Sequence, residues 1–299
     1  MKHVMNLTYV FFAAFLALAT LPMASSESAR AKISQKADGQ RKINLSGRQR
    51  MLSQFMAKAA CFASVDVRTA YHLNQMGQTH WLFSETLSGL KNGNETLGLL
   101  PERNLAVLAG LKSVEEEWAD YAKAVVAWRS GTARTDGTLE IIFEKNIPTL
   151  FKMNATVKLF EQSYSAAGTV DPGIAVALNI SGRQRMLTQK ASKEACLIYR
   201  GYQAAHNRAE LLKTMNLFAK SLDDLLQGNT ELGLPAAPIS VIQDQLNEVK
   251  ALWKSFEVQL LRIQNGDTPE LEDLKRIAEQ NEPLLYEMNK AVWLYETVK

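Results

Sequence analysis

The sequence INLSGRQRMLSQ at residues 43–54 recurs as LNISGRQRMLTQ at residues 178–189, an offset of 135 residues. The match continues at the same offset, without a gap, far beyond this motif. The further matched pairs include Lys58/Lys193, Cys61/Cys196, Phe83/Phe218, Gly93/Gly228, Trp118/Trp253, Asn146/Asn281, Pro148/Pro283 and Asn154/Asn289. One offset over so long a stretch indicates that a whole domain has been duplicated.

Each copy reads as four helices, because apolar residues recur at three- and four-residue spacing and period-two alternation is absent. Clusters of Gly, Asn and Pro mark the breaks between the helices. The predicted helices are 33–72, 75–91, 102–130 and 136–164 in the first copy, and 174–207, 208–227, 237–265 and 269–298 in the second. Pro148 and Pro283 lie inside the fourth helices, where they should kink the helix or delay its start.

This pattern predicts an all-α fold of two tandem up-down-up-down four-helix bundles, module 1 over 33–164 and module 2 over 174–299. With four helices, each module begins and ends at the same end of its bundle. The linker at 165–173 contains Asp-Pro-Gly, which should stop module 1 from running straight into module 2. The modules would then lie side by side about an approximate two-fold axis. An end-to-end rod is the alternative.

The N-terminal segment 1–26 has the features of a secretory signal peptide. Lys2 precedes an apolar stretch from Leu7 to Leu21, and small residues follow. About 15 apolar residues fall short of the roughly 20 that a membrane-spanning helix needs. We therefore expect cleavage between Ala24 and Ser26 and a periplasmic protein, with an uncleaved membrane anchor as the alternative.

Composition argues against several classes of function. The net charge is only +3 and basic residues form no long runs, so we expect no nucleic-acid partner. The histidines show no metal-ligand spacing, and no catalytic motif is present. We therefore expect a protein that is not an enzyme and holds no cofactor or metal. Two cysteines exclude a disulfide-rich scaffold but leave room for one bridge.

The first helix of each copy carries a mixed stripe beside its apolar face. The stripe consists of Ile43, Gly47, Arg50, Gln54, Ala57 and Cys61, and it recurs as Leu178, Gly182, Arg185, Gln189, Ser192 and Cys196. A glycine costs roughly 1 kcal/mol inside a helix, so its presence here suits a close approach of two helices that presents a cation to an anion. Arg48 and Arg183 project to the other flank of the apolar face and are weaker candidates.

The two motif copies resemble the PilJ/NarX-like periplasmic sensor domain family, found in type IV pilus chemotaxis transducers and in nitrate/nitrite sensor kinases. The amino-acid sequence of the motif is more similar to the PilJ-type branch. The resemblance covers both modules almost end to end. In the nitrate-sensor branch, nitrate lies between the first helices of a dimer, at a Gly followed three residues later by Arg-Met. By position, the resemblance implies ligand-binding roles for Gly47, Arg50 and Met51 in module 1, and for Gly182, Arg185 and Met186 in module 2.

The resemblance also implies that the two modules replace the two subunits of a sensor dimer. Arg50 and Arg185 would then meet across the pseudo-two-fold axis, where two guanidiniums repel each other. A small anion, such as nitrate or nitrite, would accept charge-assisted hydrogen bonds from both, and Gln54 and Gln189 are further candidate donors. The alternative is that these arginines only cap helices or pair with carboxylates.

The sequence departs from the nitrate-sensor branch at Arg48-Gln49 and Arg183-Gln184, where nitrate sensors have a less basic pair. If equivalent residues face each other across a two-fold axis, Cys61 and Cys196 come close enough for a single disulfide. The alternative is that they are two small buried side chains in separate modules.

Family members that signal span the membrane and carry output domains, whereas this sequence ends at Lys299 without one. We therefore expect any signal to pass through a partner such as a membrane sensor, a chemoreceptor or a transporter component. One interpretation is a periplasmic, non-catalytic sensor component that binds a small anion. The other is a ligand-independent structural or interaction module, associated with a membrane receptor or a type IV pilus system.

Overall fold

A computed structural model describes residues 34–298 of the chain, and they fold into eight α-helices. The helices are α1 (Gln35–Ser64), α2 (Thr69–Asn92), α3 (Leu105–Ser130), α4 (Asp136–Ala166), α5 (Pro172–Tyr199), α6 (Ala204–Gln227), α7 (Ser240–Gln264) and α8 (Leu271–Glu296). Over these residues there is no strand, only two isolated bridges in the loops after α2 and α6. The predicted all-α fold is confirmed. The predicted signal peptide at 1–26 lies outside the described residues.

Side-chain caps fix where several helices begin. Ser34, Asn104 and Thr135 accept backbone hydrogen bonds at the starts of α1, α3 and α4. At the start of α5, Asp171 accepts a hydrogen bond from the Ile174 backbone N–H, and a proline occupies the first turn. Caps of this kind supply partners for N–H groups that the helix leaves open. The linker after α4 therefore ends one bundle and starts the next.

Helices α1–α4 and α5–α8 form two four-helix bundles that lie side by side. The two bundles meet through α1 and α5, which pack along each other in the same direction, since Gly47 lies opposite Gly182 and Cys61 opposite Cys196. Apolar side chains, such as Leu52 and Phe62 of α1, form most of the core of each bundle. The alternative of an end-to-end rod is wrong.

The predicted boundary between the first two helices is wrong in both modules. Helix α1 ends at Ser64 rather than near residue 72, and α5 ends at Tyr199 rather than near residue 207. Arg68 and Gln203 adopt left-handed backbone conformations, with φ of 47° and 43°, immediately before α2 and α6. In module 1 the turn contains neither Gly nor Pro, so the apolar spacing gives no sign that the helix stops.

The two helix-internal prolines do not delay their helices. Helices α4 and α8 begin at Asp136 and Leu271, twelve residues before Pro148 and Pro283 respectively. None of the helices within residues 34–298 combines the length and hydrophobicity needed to cross a bilayer.

Candidate functional site

The two modules meet along α1 and α5, and we call this contact, together with the flanking helices α4 and α8, the seam. Helix α4 also contacts α5, and α8 contacts α1. Gly47 and Gly182 face each other near the first half of these helices. Farther along, Cys61 and Cys196 form a disulfide, with their Cα atoms 6.2 Å apart. Equivalent residues therefore oppose each other along the seam, as an approximate two-fold axis requires.

The three residues of the Arg-Gln-Arg triplet in each motif make two kinds of contact. Arg48 Nη2 donates to Thr86 Oγ1 at 3.0 Å, and Gln49 Nε2 donates to the Phe83 carbonyl at 2.7 Å. In module 2, Arg183 and Gln184 make the equivalent bonds to Ser221 and Phe218. The first two residues thus fasten the helix to the second helix of its own module. Only the third residue, Arg50 or Arg185, faces the seam.

Both seam arginines reach across to the opposite module. Arg50 Nη2 donates to the Asn179 carbonyl on α5 at 2.8 Å. Arg185 Nη2 donates to the Asn44 carbonyl on α1 at 3.1 Å and to Asn44 Oδ1 at 2.8 Å. Because each guanidinium binds the first helix of the other bundle, the pair also holds the modules together.

The two guanidiniums converge on the glycine pair. A Cβ atom added to Gly47 would lie 3.3 Å from Arg50 Nη2 and 3.7 Å from Arg185 Nη2. One added to Gly182 would lie 3.3 Å and 3.4 Å from the same two atoms. Glycine at both positions therefore leaves room for the two guanidiniums, which an added Cβ atom would crowd. We call these four residues the arginine layer.

Two carboxylates of the described residues join this network through asparagines. Asn179 Nδ2 donates to Glu161 at 2.5 Å, and Asn44 Nδ2 donates to Glu296. Each seam arginine also donates through Nη1 to an asparagine on the last helix of its own module, Asn154 at 2.8 Å for Arg50 and Asn289 at 3.4 Å for Arg185. Over residues 34–298, neither seam arginine forms an ion pair with a carboxylate.

The arginine layer is a strongly positive, desolvated environment. Arg50 is 1% exposed and Arg185 is 3% exposed. Burial, together with the nearby cations Arg183 and Arg185, lowers the pKa of Arg50 to about 9, against the opposing effect of Glu161. Burial and Arg48 likewise lower the pKa of Arg185 to about 9. Both side chains therefore carry a positive charge at neutral pH.

Part of the hydrogen-bonding capacity of these arginines is unused. Within the described part of the chain, no acceptor binds the buried Nε atoms of Arg50 and Arg185. A buried donor without a partner costs free energy. The site therefore offers charged N–H donors to a small acceptor, and an anion would also lower the repulsion between the two guanidiniums.

The other predicted site residues lie elsewhere. Met51 and Met186 are buried in the hydrophobic core. Gln54 is held one turn farther along the seam, where its Oε1 accepts from Lys193 Nζ at 2.8 Å and its Nε2 donates to the Asn146 carbonyl at 3.2 Å. Gln189 Nε2 donates to its neighbour Thr188. The structure thus brings together the glycines and arginines, and gives the glutamines different partners.

A second polar cluster, which we call the lysine layer, fills the seam between the arginine layer and the disulfide. Lys58 Nζ donates to Asn281 Oδ1 on α8 at 2.8 Å. Lys193 Nζ donates to Asn146 Oδ1 on α4 at 2.8 Å, as well as to Gln54. Each lysine thus binds the last helix of the opposite module.

The asparagines and lysines of the seam were not predicted as site residues. Most of them nevertheless stand out in the sequence as matched pairs at the common offset. Lys58/Lys193, Asn146/Asn281 and Asn154/Asn289 are identical between the copies. A buried core would tolerate apolar residues at these positions, so identity of polar residues between the copies was the available signal.

The chemistry open to the seam is binding through N–H donors. Among residues 34–298, no three His, Cys, Asp or Glu side chains are grouped as metal ligands would be. The groups that converge in the arginine layer are guanidiniums, amides and backbone carbonyls. Such a set can hold a small acceptor or an anion.

The family model of the type IV pili methyl-accepting chemotaxis transducer N-terminal domain, PilJ, matches the chain twice, over residues 33–139 and 171–285. A search of the curated proteins found no match. The two matched segments start within three residues of corresponding points of the repeat and together cover most of the chain. The chain therefore belongs to the PilJ family of type IV pili methyl-accepting chemotaxis transducer N-terminal domains, of which it carries two tandem copies.

Proposed function

We propose that this protein is a periplasmic, non-catalytic sensor component that binds a small anion such as nitrate or nitrite in the arginine layer. Bound anion would strengthen the contact between the two modules and so change the surface offered to a partner. We propose that the partner is a membrane chemoreceptor or another component of a membrane signalling system, as the family description of a chemotaxis transducer domain suggests.

The observation that carries this proposal is the meeting of two buried guanidiniums at the seam, neither of which is bonded to a carboxylate of residues 34–298. Isolated buried charges are costly, and the buried Nε atoms of Arg50 and Arg185 have no acceptor among the described residues. A small anion would lower the electrostatic cost and fill donors that the protein leaves open.

The expected affinity follows from the number of contacts. A hydrogen bond to a charged group contributes about 1.5–3 kcal/mol, so two arginine contacts supply about 3–6 kcal/mol. Since about 4 kcal/mol corresponds to a millimolar dissociation constant, these contacts alone predict binding in the millimolar range or somewhat tighter.

The test is a thermal-shift and calorimetric screen with sodium nitrate, nitrite, formate and sulfate, against chloride at matched ionic strength. We expect at least one oxyanion to raise the melting temperature of the unaltered protein. Arg50→Gln and Arg185→Gln should abolish that rise. Arg276→Gln, which changes an exposed arginine on α8, is the matched control and should keep it.

Absence of any anion-specific shift in the unaltered protein would overturn the proposal. So would an undiminished shift in Arg50→Gln, because the anion would then bind somewhere else.

A second candidate function has an observation of its own. Arg50 and Arg185 already bind the Asn179 and Asn44 carbonyls across the seam, so they can act as clamps between the modules without a ligand. On this reading the chain is a ligand-independent interaction module for a membrane receptor or a type IV pilus system. It predicts that both arginine variants lose stability equally in chloride and in every oxyanion.

A further inference from the structure

The lysine layer contains two buried amines that take no part in the proposed anion site. Lys58 and Lys193 are each 2% exposed. Each donates to amide oxygens, and each reaches into the opposite module, to Asn281 and Asn146 respectively. Lys58 Nζ also lies 4.3 Å from the centre of the Phe55 ring.

Buried lysines are usually paired with carboxylates. The carboxylates that lie near these two amines are already paired with other cations. Glu282 of α8 forms an ion pair with Arg68, at 2.7 Å. Around Lys193, Glu194 of α5 and Glu210 of α6 both pair with Lys190. Among the described residues, neither buried amine forms an ion pair.

A further titratable group next to this layer is His72 of α2. It is buried, its ring stacks on Phe62, and neither ring nitrogen has a hydrogen-bond partner within residues 34–298. Burial, Lys58 and Arg68 lower the pKa of His72 to about 3, so it is neutral at physiological pH. It therefore supplies no charge to balance Lys58.

Amide oxygens can accept a hydrogen bond from an ammonium or from a neutral amine, so both protonation states fit this site. A carboxylate partner would instead fix the charged form. Burial lowers the pKa of Lys58 to about 7, against the opposing effect of Glu282. Burial lowers the pKa of Lys193 to about 7 as well, against Glu194.

We propose that Lys58 and Lys193 form a proton-binding pair at the seam, through which the protein responds to the pH of its surroundings as a second input. Binding of protons places two more buried cations beside the two arginines and weakens the contact between the modules. Release of the protons leaves neutral amines on the same amide oxygens and strengthens it. This proposal does not depend on anion binding.

The sign and size of the effect follow from linkage. In the unfolded chain a lysine keeps its ordinary pKa near 10.5, whereas in the folded protein each amine is neutral above about pH 7. The free energy of unfolding should therefore rise as pH increases from 6 to 9. The equilibrium constant for unfolding should fall by roughly 100-fold per lysine over that interval.

The first experiment is urea unfolding of the oxidised, full-length protein at pH 6, 7, 8 and 9. Lys58→Met and Lys193→Met replace each amine by an apolar side chain of similar length. Each single change should remove about half of the pH-dependent gain in log K, and the double change should remove nearly all of it. Lys112→Met, at an exposed position on α3, is the matched control and should leave the pH dependence unchanged.

The second experiment measures the protonation of the lysines directly in the unaltered protein. NMR of protein labelled at lysine Cε and Nζ should show two resonances that titrate near pH 7, and the single variants assign them. If all lysine resonances titrate near 10.5, the proposal is wrong. It is equally wrong if the double variant keeps the same pH dependence as the unaltered protein.

Discussion

Gly47 and Gly182 meet backbone to backbone across the seam: a Cβ atom on Gly47 would lie 3.8 Å from the Gly182 Cα atom, and one on Gly182 would lie 3.7 Å from the Gly47 Cα atom. These distances are ordinary van der Waals contacts, so a methyl group fits between the helices without moving the backbone. The tighter contact is with Arg50 Nη2, 3.3 Å from either added atom. The glycines therefore make room mainly for the arginines.

From this contact we predict that Gly47→Ala changes the free energy of unfolding by less than about 1 kcal/mol. The gain in helix propensity, about 1 kcal/mol, opposes the displacement of the guanidinium. Gly47→Leu should destabilise the protein by about 2 kcal/mol or more, because its larger side chain overfills the seam. Urea unfolding measures both changes. The control is Gly137→Leu in the first turn of α4, where an added Cβ meets nothing within 4 Å, and a loss there as large as at residue 47 would contradict the explanation.

The disulfide between Cys61 and Cys196 joins residues 135 apart in sequence. A cross-link that closes a loop of this length should stabilise the fold by about 5 kcal/mol on the chain-entropy model, and disulfides usually deliver about 2–4 kcal/mol. We therefore expect Cys61→Ala/Cys196→Ala to lower the free energy of unfolding by about 2–4 kcal/mol. Unfolding with and without reductant gives a second measure. Two free thiols in protein purified without reductant would contradict the pairing.

The sequence was sufficient for the fold class, but it left side-by-side and end-to-end packing of the modules open. The opposition of the two first helices was implied by the resemblance to sensor dimers. The mixed stripe through Gly47, Arg50 and Cys61 indicated only that the first helix packs closely against some other helix. The α1–α2 turn could not be predicted in the same way. Arg68 has a positive φ, and the positive φ of a non-glycine residue leaves no mark in the sequence.

The hydrogen-bond partners of the seam residues also could not be predicted from the sequence. Lys58 and Asn146 belong to the same module, yet each binds the opposite module, Lys58 through Asn281 and Asn146 through Lys193. Which copy of a repeated residue is the partner depends on how α4 and α8 pack against the paired helices. That placement is a tertiary property, and the two copies are indistinguishable at these positions.

His72 should contribute to loss of stability in acid. Because its pKa is lowered to about 3, the unfolded chain gains a proton below about pH 6.5 that the folded protein does not. Stability should therefore fall as pH decreases from 6.5 towards 3, by up to roughly 5 kcal/mol from this group. His72→Asn should remove that part of the loss.

The reason to choose asparagine is that module 2 carries Asn207 at the equivalent position. Its Nδ2 donates to the Tyr202 carbonyl at 2.8 Å and to the Gln203 carbonyl at 3.3 Å. An asparagine amide therefore fits at the start of the second helix and finds hydrogen-bond partners in the preceding turn. His206→Asn, at an exposed histidine, is the control. The explanation fails if both variants show the same acid dependence as the unaltered protein between pH 6.5 and 4.

The two proposed inputs should influence each other, because Arg50 and Lys58 lie eight residues apart on one helix, or about 12 Å at 1.5 Å per residue. At an effective dielectric constant near 20, unit charges at this separation interact by about 1.4 kcal/mol, which is a factor of ten in affinity. An anion in the arginine layer should therefore favour protonation of the lysine layer, and linkage requires the reverse effect to be equal. We expect nitrate, or whichever oxyanion the screen identifies, to bind roughly tenfold more tightly at pH 6 than at pH 8, while both arginines remain charged. Isothermal calorimetry at the two pH values measures this ratio, which should fall to about one in Lys58→Met/Lys193→Met. Equal affinity at both pH values in the unaltered protein would show that the two layers act independently.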